Sequence, residues 1–338
     1  MNYNFRKKLS VLEKIYLLLH QKIFDYRLSQ QSYFEDKIII SIGNLSLGGT
    51  GKTPLAIFLA DYFLKKGNQV LICLRGYKGN FKDELLVCEN GKILTTPYMS
   101  GDEAYLVSYK LLEKNHKNFK VVCGKNKKNL IQRFGINCNL VIFDDAFQNP
   151  SIYKNLEITL LDTTDDPKNI KLLPIGKYRE PIEALHRSDI ILLTRTNENP
   201  ENVVSWKAIL NNFSIQYFLS IPKMISIKPK LEKKEIIAVC GIGNPNSFLY
   251  LLEKQGLKIV AKFIYRDHYS FTNLDIQKWL QYKLPILLTE KDWVRILYNP
   301  LFLQNKSYFH RLEIEIEIMN SKAFLKAIEK FINKINKI

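Results

Sequence analysis

An α/β fold on a doubly wound, mostly parallel sheet, joined by a second, smaller α/β domain, follows from three observations. Short apolar runs rich in Ile, Val and Leu alternate with helical patterns along most of the 338 residues. One run, Ile38-Ile39-Ile40, ends in a glycine-rich turn that feeds a helical segment over 55–64, the strand–loop–helix layout of a phosphate-binding loop. The length suffices for one large domain or two, and the strand–helix alternation resumes after a polar, Pro-interrupted stretch at 197–212.

Residues 5–28 precede the first strand. Val11, Leu12, Ile15, Tyr16, Leu18, Leu19, Ile23 and Phe24 recur at helical spacing, with Lys7, Lys8, Lys14, Lys22 and Arg27 around them. Such a helix either lies in a membrane interface or docks on its own domain. It does not span a bilayer, because Glu13, Lys14, Lys22 and Asp25 interrupt it.

The loop over 46–53 carries the chemistry. Gly48, Gly49 and Gly51 let successive backbone N–H groups converge on phosphate oxygens, and the following helix points its positive end at the same anion. Lys52 is expected to reach the β- and γ-phosphates and the Thr53 hydroxyl to ligate Mg²⁺. Ser46, Leu47 and Thr50 complete the candidate nucleotide contacts, Ser46 standing where the usual pattern has its first glycine.

A second strand is predicted over 69–74, and the loop Arg75-Gly76-Tyr77-Lys78-Gly79 follows at its carboxyl end, where ligands of open α/β sheets sit. Residues 85–96 alternate around Asn90-Gly91, an inserted hairpin. Asp102 and Glu103 open a helix, a position where acids commonly cap. After a strand at 121–123, the run 140–143 ends in Asp144-Asp145. An apolar strand ending in acids downstream of a phosphate loop suits a Mg²⁺ site, although paired acids also serve as solvated turns. Strands over 158–161 and 190–194 continue the series, and Arg179 lies in a loop able to offer a cation to phosphate.

The second half brings strands at 236–240, 259–263 and 286–288, an edge strand at 312–318 with acids alternating outward, and a closing amphipathic helix at 321–335. Gly241-Ile242-Gly243-Asn244-Pro245 lacks the third glycine of a dinucleotide fingerprint, with Asn246 in its place. The expected organisation is an N-terminal helix at 1–30, a phosphate-loop domain at 31–200 and a second α/β domain at 201–338.

The formal charge of +17 calls for an anionic partner: nucleic acid, anionic lipid or a phosphorylated small molecule. A chain rich in Lys, Ile and Asn explains part of it. No zinc finger, RNP-type aromatic motif or basic helix argues for nucleic acid. The five cysteines form no C-x-x-C and no secretory signal is evident, so a reducing cytosol is expected.

In order along the chain stand Gly43-Asn44 with Gly48-Gly49-Thr50-Gly51-Lys52-Thr53-Pro54, Arg75-Gly76-Tyr77, Gly101-Asp102-Glu103, Asp144-Asp145-Ala146-Phe147-Gln148, Arg179-Glu180-Pro181, Gly241-Ile242-Gly243-Asn244-Pro245, Asp267-His268 and Thr289-Glu290-Lys291-Asp292. This succession resembles the tetraacyldisaccharide 4'-kinases of lipid A synthesis. The resemblance implies an ATP- and Mg²⁺-dependent kinase on the cytoplasmic face of the inner membrane, acting on an acylated glucosamine disaccharide phosphate, with no obligate protein partner. It also implies two α/β domains with the nucleotide between them and a membrane-touching N-terminal helix. Asp102 and His268 would form a catalytic dyad beside Lys52. Thr53, Asp144, Asp145 and Glu103 are the candidate metal ligands, and Arg75, Tyr77, Gln148 and Arg179 the substrate contacts. Three positions depart from the family pattern: Asn149 where His is usual, Gly124-Lys125-Asn126-Lys127 where relatives often carry Asp-Arg, and Ala104 where Pro is usual. The alternative function is a GTPase or ATPase switch acting on a protein partner, although the guanine-reading Asn-Lys-x-Asp is missing.

Overall fold

The computed structural model describes residues 9–335. Thirteen strands form one sheet: β1 (Ile38–Asn44), β2 (Val70–Leu74), β3 (Glu84–Glu89), β4 (Lys92–Ile93), β5 (Phe119–Gly124), β6 (Leu140–Asp144), β7 (Leu156–Asp162), β8 (Ile190–Thr194), β9 (Gln216–Lys228), β10 (Glu235–Cys240), β11 (Lys258–Ile264), β12 (Ile286–Thr289) and β13 (Phe309–Ile318). Their order is β11-β10-β12-β13-β9-β8-β7-β1-β6-β2-β5-β3-β4. Neighbours run parallel except β3 with β4, β3 with β5 and β9 with β13. The sheet is the mostly parallel α/β sheet that the alternation predicts.

Helices cover both faces, so the central strands read as continuous apolar runs. Successive β1 residues divide between the two faces: Ile40 and Ile42 join the cluster containing Leu55 and Leu59, and Ile39 joins Leu71, Val141 and Phe143. The hairpin forms at the sheet edge, where Asn90 at φ 52° and Gly91 at φ 75° supply the two left-handed residues of a tight turn.

Two strands differ from expectation. Strand β9 was not anticipated, since Pro222 interrupts its pattern. Residues 216–219 pair with β8 and 220–228 with β13, so one strand carries the sheet from the first half to the second. Strand β13, expected at an edge, lies between β12 and β9. Its acids are all partnered: buried Glu313 with Arg311 and Lys228, and half-exposed Glu315 with Lys114 and Glu317 with Lys223.

The closing helix, Ser321–Ile335, returns to the first half. Phe324 and Ile328 are fully buried there, the Phe324 ring lying 5.1 Å from that of Phe218 and 6.5 Å from that of Phe58.

The N-terminal helix spans Val11–Ser29; Phe5, Lys7 and Lys8 of the predicted segment lie outside the described residues. Ser10 and Glu13 form a capping box. Glu13 also accepts from the Leu172 amide at 2.8 Å, and the Arg187 guanidinium stacks 4.6 Å from the Phe24 ring. These contacts dock one side of the helix. The apolar arc of Val11, Leu12, Ile15, Leu18, Leu19 and Ile23 points outward, Leu18 being 65% exposed. Among the described residues no helix is long and apolar enough to cross a membrane.

Candidate active site

The phosphate loop bridges β1 and the helix Lys52–Lys65. Its sharp course depends on Gly48 at φ 109° and Gly51 at φ 95°, the left-handed region that L side chains avoid. Gly43 is required by packing instead, because a Cβ there would lie 2.4 Å from the Phe147 Cβ. Asn44 then shapes the loop from within: its Nδ2 donates to the Ser46 carbonyl at 2.7 Å and its Oδ1 accepts from Lys52 Nζ at 3.3 Å.

A cleft of about 760 Å³ opens above the loop, walled by both halves of the chain. Leu47 through Thr53 line it, together with Arg75, Tyr77, Glu103, Asp144, Asp145, Arg179 and His268. Ser46, Gln148 and Asp102 of the predicted set do not form its wall. Ser46 pairs by backbone with Tyr178, and the Leu47 amide donates to the Lys177 carbonyl at 2.7 Å, so these two residues shape the loop. Gln148 hydrogen-bonds Arg179 at 3.0 Å and the Asn44 carbonyl at 2.8 Å.

The two strand-end acids have different environments. Asp145, at φ 58°, accepts from Arg179 at 2.9 Å and faces Lys52 at 3.5 Å. Burial pushes its carboxyl up, but Lys52 and Arg179 outweigh this and hold it well below the usual carboxylate range. Asp144 is buried with Oδ1 unpartnered, and burial, assisted by the nearby Glu103 charge, pushes it up to about 7. An orphaned carboxylate oxygen beside a phosphate loop fits a divalent cation. Among the described residues no group of three or more His, Cys, Asp or Glu is placed to hold a metal. A Mg²⁺ shared with nucleotide phosphates needs only one or two carboxylates.

Across the cleft, His268 sits in a left-handed conformation at φ 56°, with its amide on the Gly241 carbonyl at 3.1 Å. Its Nδ1 lies 3.0 Å from both carboxylate oxygens of Asp102, and the Tyr77 ring packs edge-on at 5.0 Å. Asp102 opens its helix without capping it. Burial would raise its carboxyl, but the His268 hydrogen bond and the Arg295 charge together hold it well below the usual range.

Four residues of this arrangement escaped the sequence reading. Asn44 orients Lys52. Arg195, at φ 56°, bonds both Asp162 and the Gly49 carbonyl. Lys291 donates to Glu103 at 2.5 Å, and Arg295 to Asp102 at 2.7 Å. Asn44 and Lys291 belong to the Gly43-Asn44 and Thr289-Glu290-Lys291-Asp292 motifs, whereas Arg195 and Arg295 carry no local sequence signal.

Strand, glycine loop, lysine and strand-end carboxylates on this sheet define a phosphate-loop α/β protein. Over residues 6–333 the chain matches the family model described as tetraacyldisaccharide-1-P 4'-kinase. It belongs to that family. The tetraacyldisaccharide 4'-kinase of Pelodictyon phaeoclathratiforme is 31% identical over 318 residues, covering 86% of each chain. The one from Aquifex aeolicus is 31% identical over 300 residues, covering 85% of this chain and 90% of the other. A crystal structure of LpxK from Aquifex aeolicus in complex with ATP superposes with a TM-score of 0.71 at 25% identity, covering 95% of this chain and 96% of that one. Family membership favours the kinase over the nucleotide-switch alternative.

Proposed function

We propose that this chain transfers the γ-phosphate of ATP to the 4'-hydroxyl of a tetraacylated glucosamine disaccharide 1-phosphate at a membrane surface. The observation that carries this reading is one cleft whose walls present a phosphate loop with Lys52 on one side and His268 on the other, with the buried Asp102 carboxylate 3.0 Å from His268 Nδ1.

Lys52 and the loop amides bind the β- and γ-phosphates and neutralise charge as it spreads over the transferring group, where most of the catalysis lies. The acceptor oxygen forms its bond to the γ-phosphorus as the bond to the β,γ-bridging oxygen breaks and ADP leaves. The hydroxyl proton passes to the Asp102 carboxylate, with His268 orienting it. A loose phosphoryl transfer needs little help from a strong base, so a carboxylate suffices. Thr53 and Asp144, with Glu103 and Asp145 close by, would hold Mg²⁺, which supplies charge neutralisation at the β- and γ-phosphates. Arg75, Tyr77 and Arg179 face the cleft as contacts for the acceptor.

Residues 31–200 act as the phosphate-loop domain and 201–338 as the second domain. The outward apolar arc of the N-terminal helix, with Lys14 and Lys22 on the same helix, sits in the cytoplasmic face of the inner membrane and brings the cleft to its lipid acceptor.

The test is incubation with ATP and a panel of phosphorylated glycolipids, products being followed by mass spectrometry, with folded Lys52→Ala as the control. One added phosphate at the 4' position, absent with Lys52→Ala, is expected. Equal ATP hydrolysis with and without acceptor, and no phosphorylated lipid, would overturn the reading.

A further inference from the structure

The two oxygens of Asp102 are not equivalent. Oδ2 accepts from Arg295 through Nε at 2.7 Å and also through NH2, and it shares His268 Nδ1 with Oδ1. Oδ1 meets His268 Nδ1 alone among the described residues, so it keeps acceptor capacity that Oδ2 lacks.

Arg295 is itself held rigidly. Its NH1 donates to the Gly241 carbonyl and to Asp292 Oδ1, both at 2.6 Å. Asp292 is fully buried and accepts from the Gly241 amide at 3.1 Å and from the Thr289 hydroxyl at 2.6 Å. The Gly241 carbonyl also receives the His268 amide at 3.1 Å. One turn and one buried acid of the second half therefore orient both groups that grip Asp102, a residue of the first half.

We propose that Arg295 is a positioning residue for phosphoryl transfer: by anchoring Oδ2 of Asp102 through a fixed fork, it fixes the carboxylate against His268 and leaves Oδ1 as the oxygen with capacity to take the acceptor's proton. The proposal rests on the kinase reading above. A buried ion pair serving stability alone would need no division of labour between the oxygens and no link from Arg295 to the turn that holds His268. A guanidinium supplies two donors in a rigid plane, whereas a lysine ammonium is a single charge centre on a flexible stem.

The test is a set of Arg295→Met and Arg295→Lys, each in the wild-type and the Asp102→Asn backgrounds, assayed for acceptor phosphorylation with melting temperature recorded. In the wild-type background Arg295→Met should lower kcat by roughly 10- to 100-fold and leave the KM for ATP within about twofold. Arg295→Lys should recover only part of the loss. In the Asp102→Asn background Arg295→Met should cost no more than about twofold further, because it acts through that carboxylate. Equal fold-losses in both backgrounds would reduce Arg295 to a structural ion pair and overturn the proposal. If Arg295→Met melts below the assay temperature, Arg295→Lys decides alone: a folded variant with full kcat overturns the proposal, and a folded variant with reduced kcat and unchanged KM supports it. A wild-type protein that phosphorylates no acceptor would instead mark failure of the kinase reading.

Discussion

Asp102 stands behind Gly101, at φ 80°, where an acid usually caps a helix. Its carboxylate faces the other half of the chain instead. Asp102→Ala is therefore expected to cut kcat by about 10²- to 10⁴-fold with ATP affinity nearly unchanged, and to lower the melting temperature because it leaves the buried Arg295 guanidinium without its carboxylate. His268→Ala should cost less, since the imidazole acts on the carboxylate rather than on the acceptor. The double variant should be no worse than Asp102→Ala, because groups acting as one unit are non-additive. Measuring kcat for all four proteins checks this; losses that multiply would separate the two residues. The same scale distinguishes the strand-end acids. Asp145 already meets Lys52 and Arg179 through Oδ1, whereas Asp144 keeps a buried oxygen without a partner, so Asp144 is the stronger candidate for a direct metal ligand.

Among the elements, the N-terminal helix has two distinct faces. Glu13 and Phe24 tie one side to the body, while the apolar arc remains outside. Burying one large apolar side chain contributes about 1.5–3 kcal/mol, so an arc of several is a strong attraction for a lipid interface. The triple substitution Ile15→Glu, Leu18→Glu and Leu19→Glu should therefore abolish flotation with anionic liposomes. Those side chains are exposed, so each exchange should change folding stability by no more than about 0.5 kcal/mol. Flotation equal to wild type would remove the helix from membrane binding.

For the whole molecule, the halves are joined by more than β9. Lys110, on the Asp102 helix, meets Glu290 at 2.5 Å and Glu313 at 3.7 Å, and Arg311 meets Glu113 at 2.5 Å and Glu313 at 2.9 Å. Burial would raise Glu313, but Ser226, Lys228 and Arg311 bring it down from 4.5 to about 2. A carboxylate depressed by folding contributes its stability above its unfolded pKa and loses it as pH falls through the folded one. Its contribution is thus complete above about pH 4.5 and lost on the way to about pH 2. Glu313→Gln should destabilise the protein at pH 7 by about 1–3 kcal/mol and flatten the fall in urea midpoint across that acid window. An unchanged acid profile would show that Glu313 does not carry the linkage.

The sequence by itself determined what depends on neighbours along the chain. The alternation of β-branched runs with helical patterns sets a parallel sheet, the Asn90-Gly91 pair sets the hairpin, and the glycines before Lys52-Thr53 set the anion cradle. Their physical causes are steric and act within a few residues. Tertiary structure decided what depends on partners far apart. Pro222 hid β9 because a missing backbone donor weakens a strand locally, while β8 and β13 pair with it on either side. The alternating acids of β13 read as an edge because nothing nearby in sequence announces Lys110, Lys114 and Lys228. Arg295 lies 193 residues from Asp102, and the carboxylate it orients becomes part of the site only when the two halves of the chain meet.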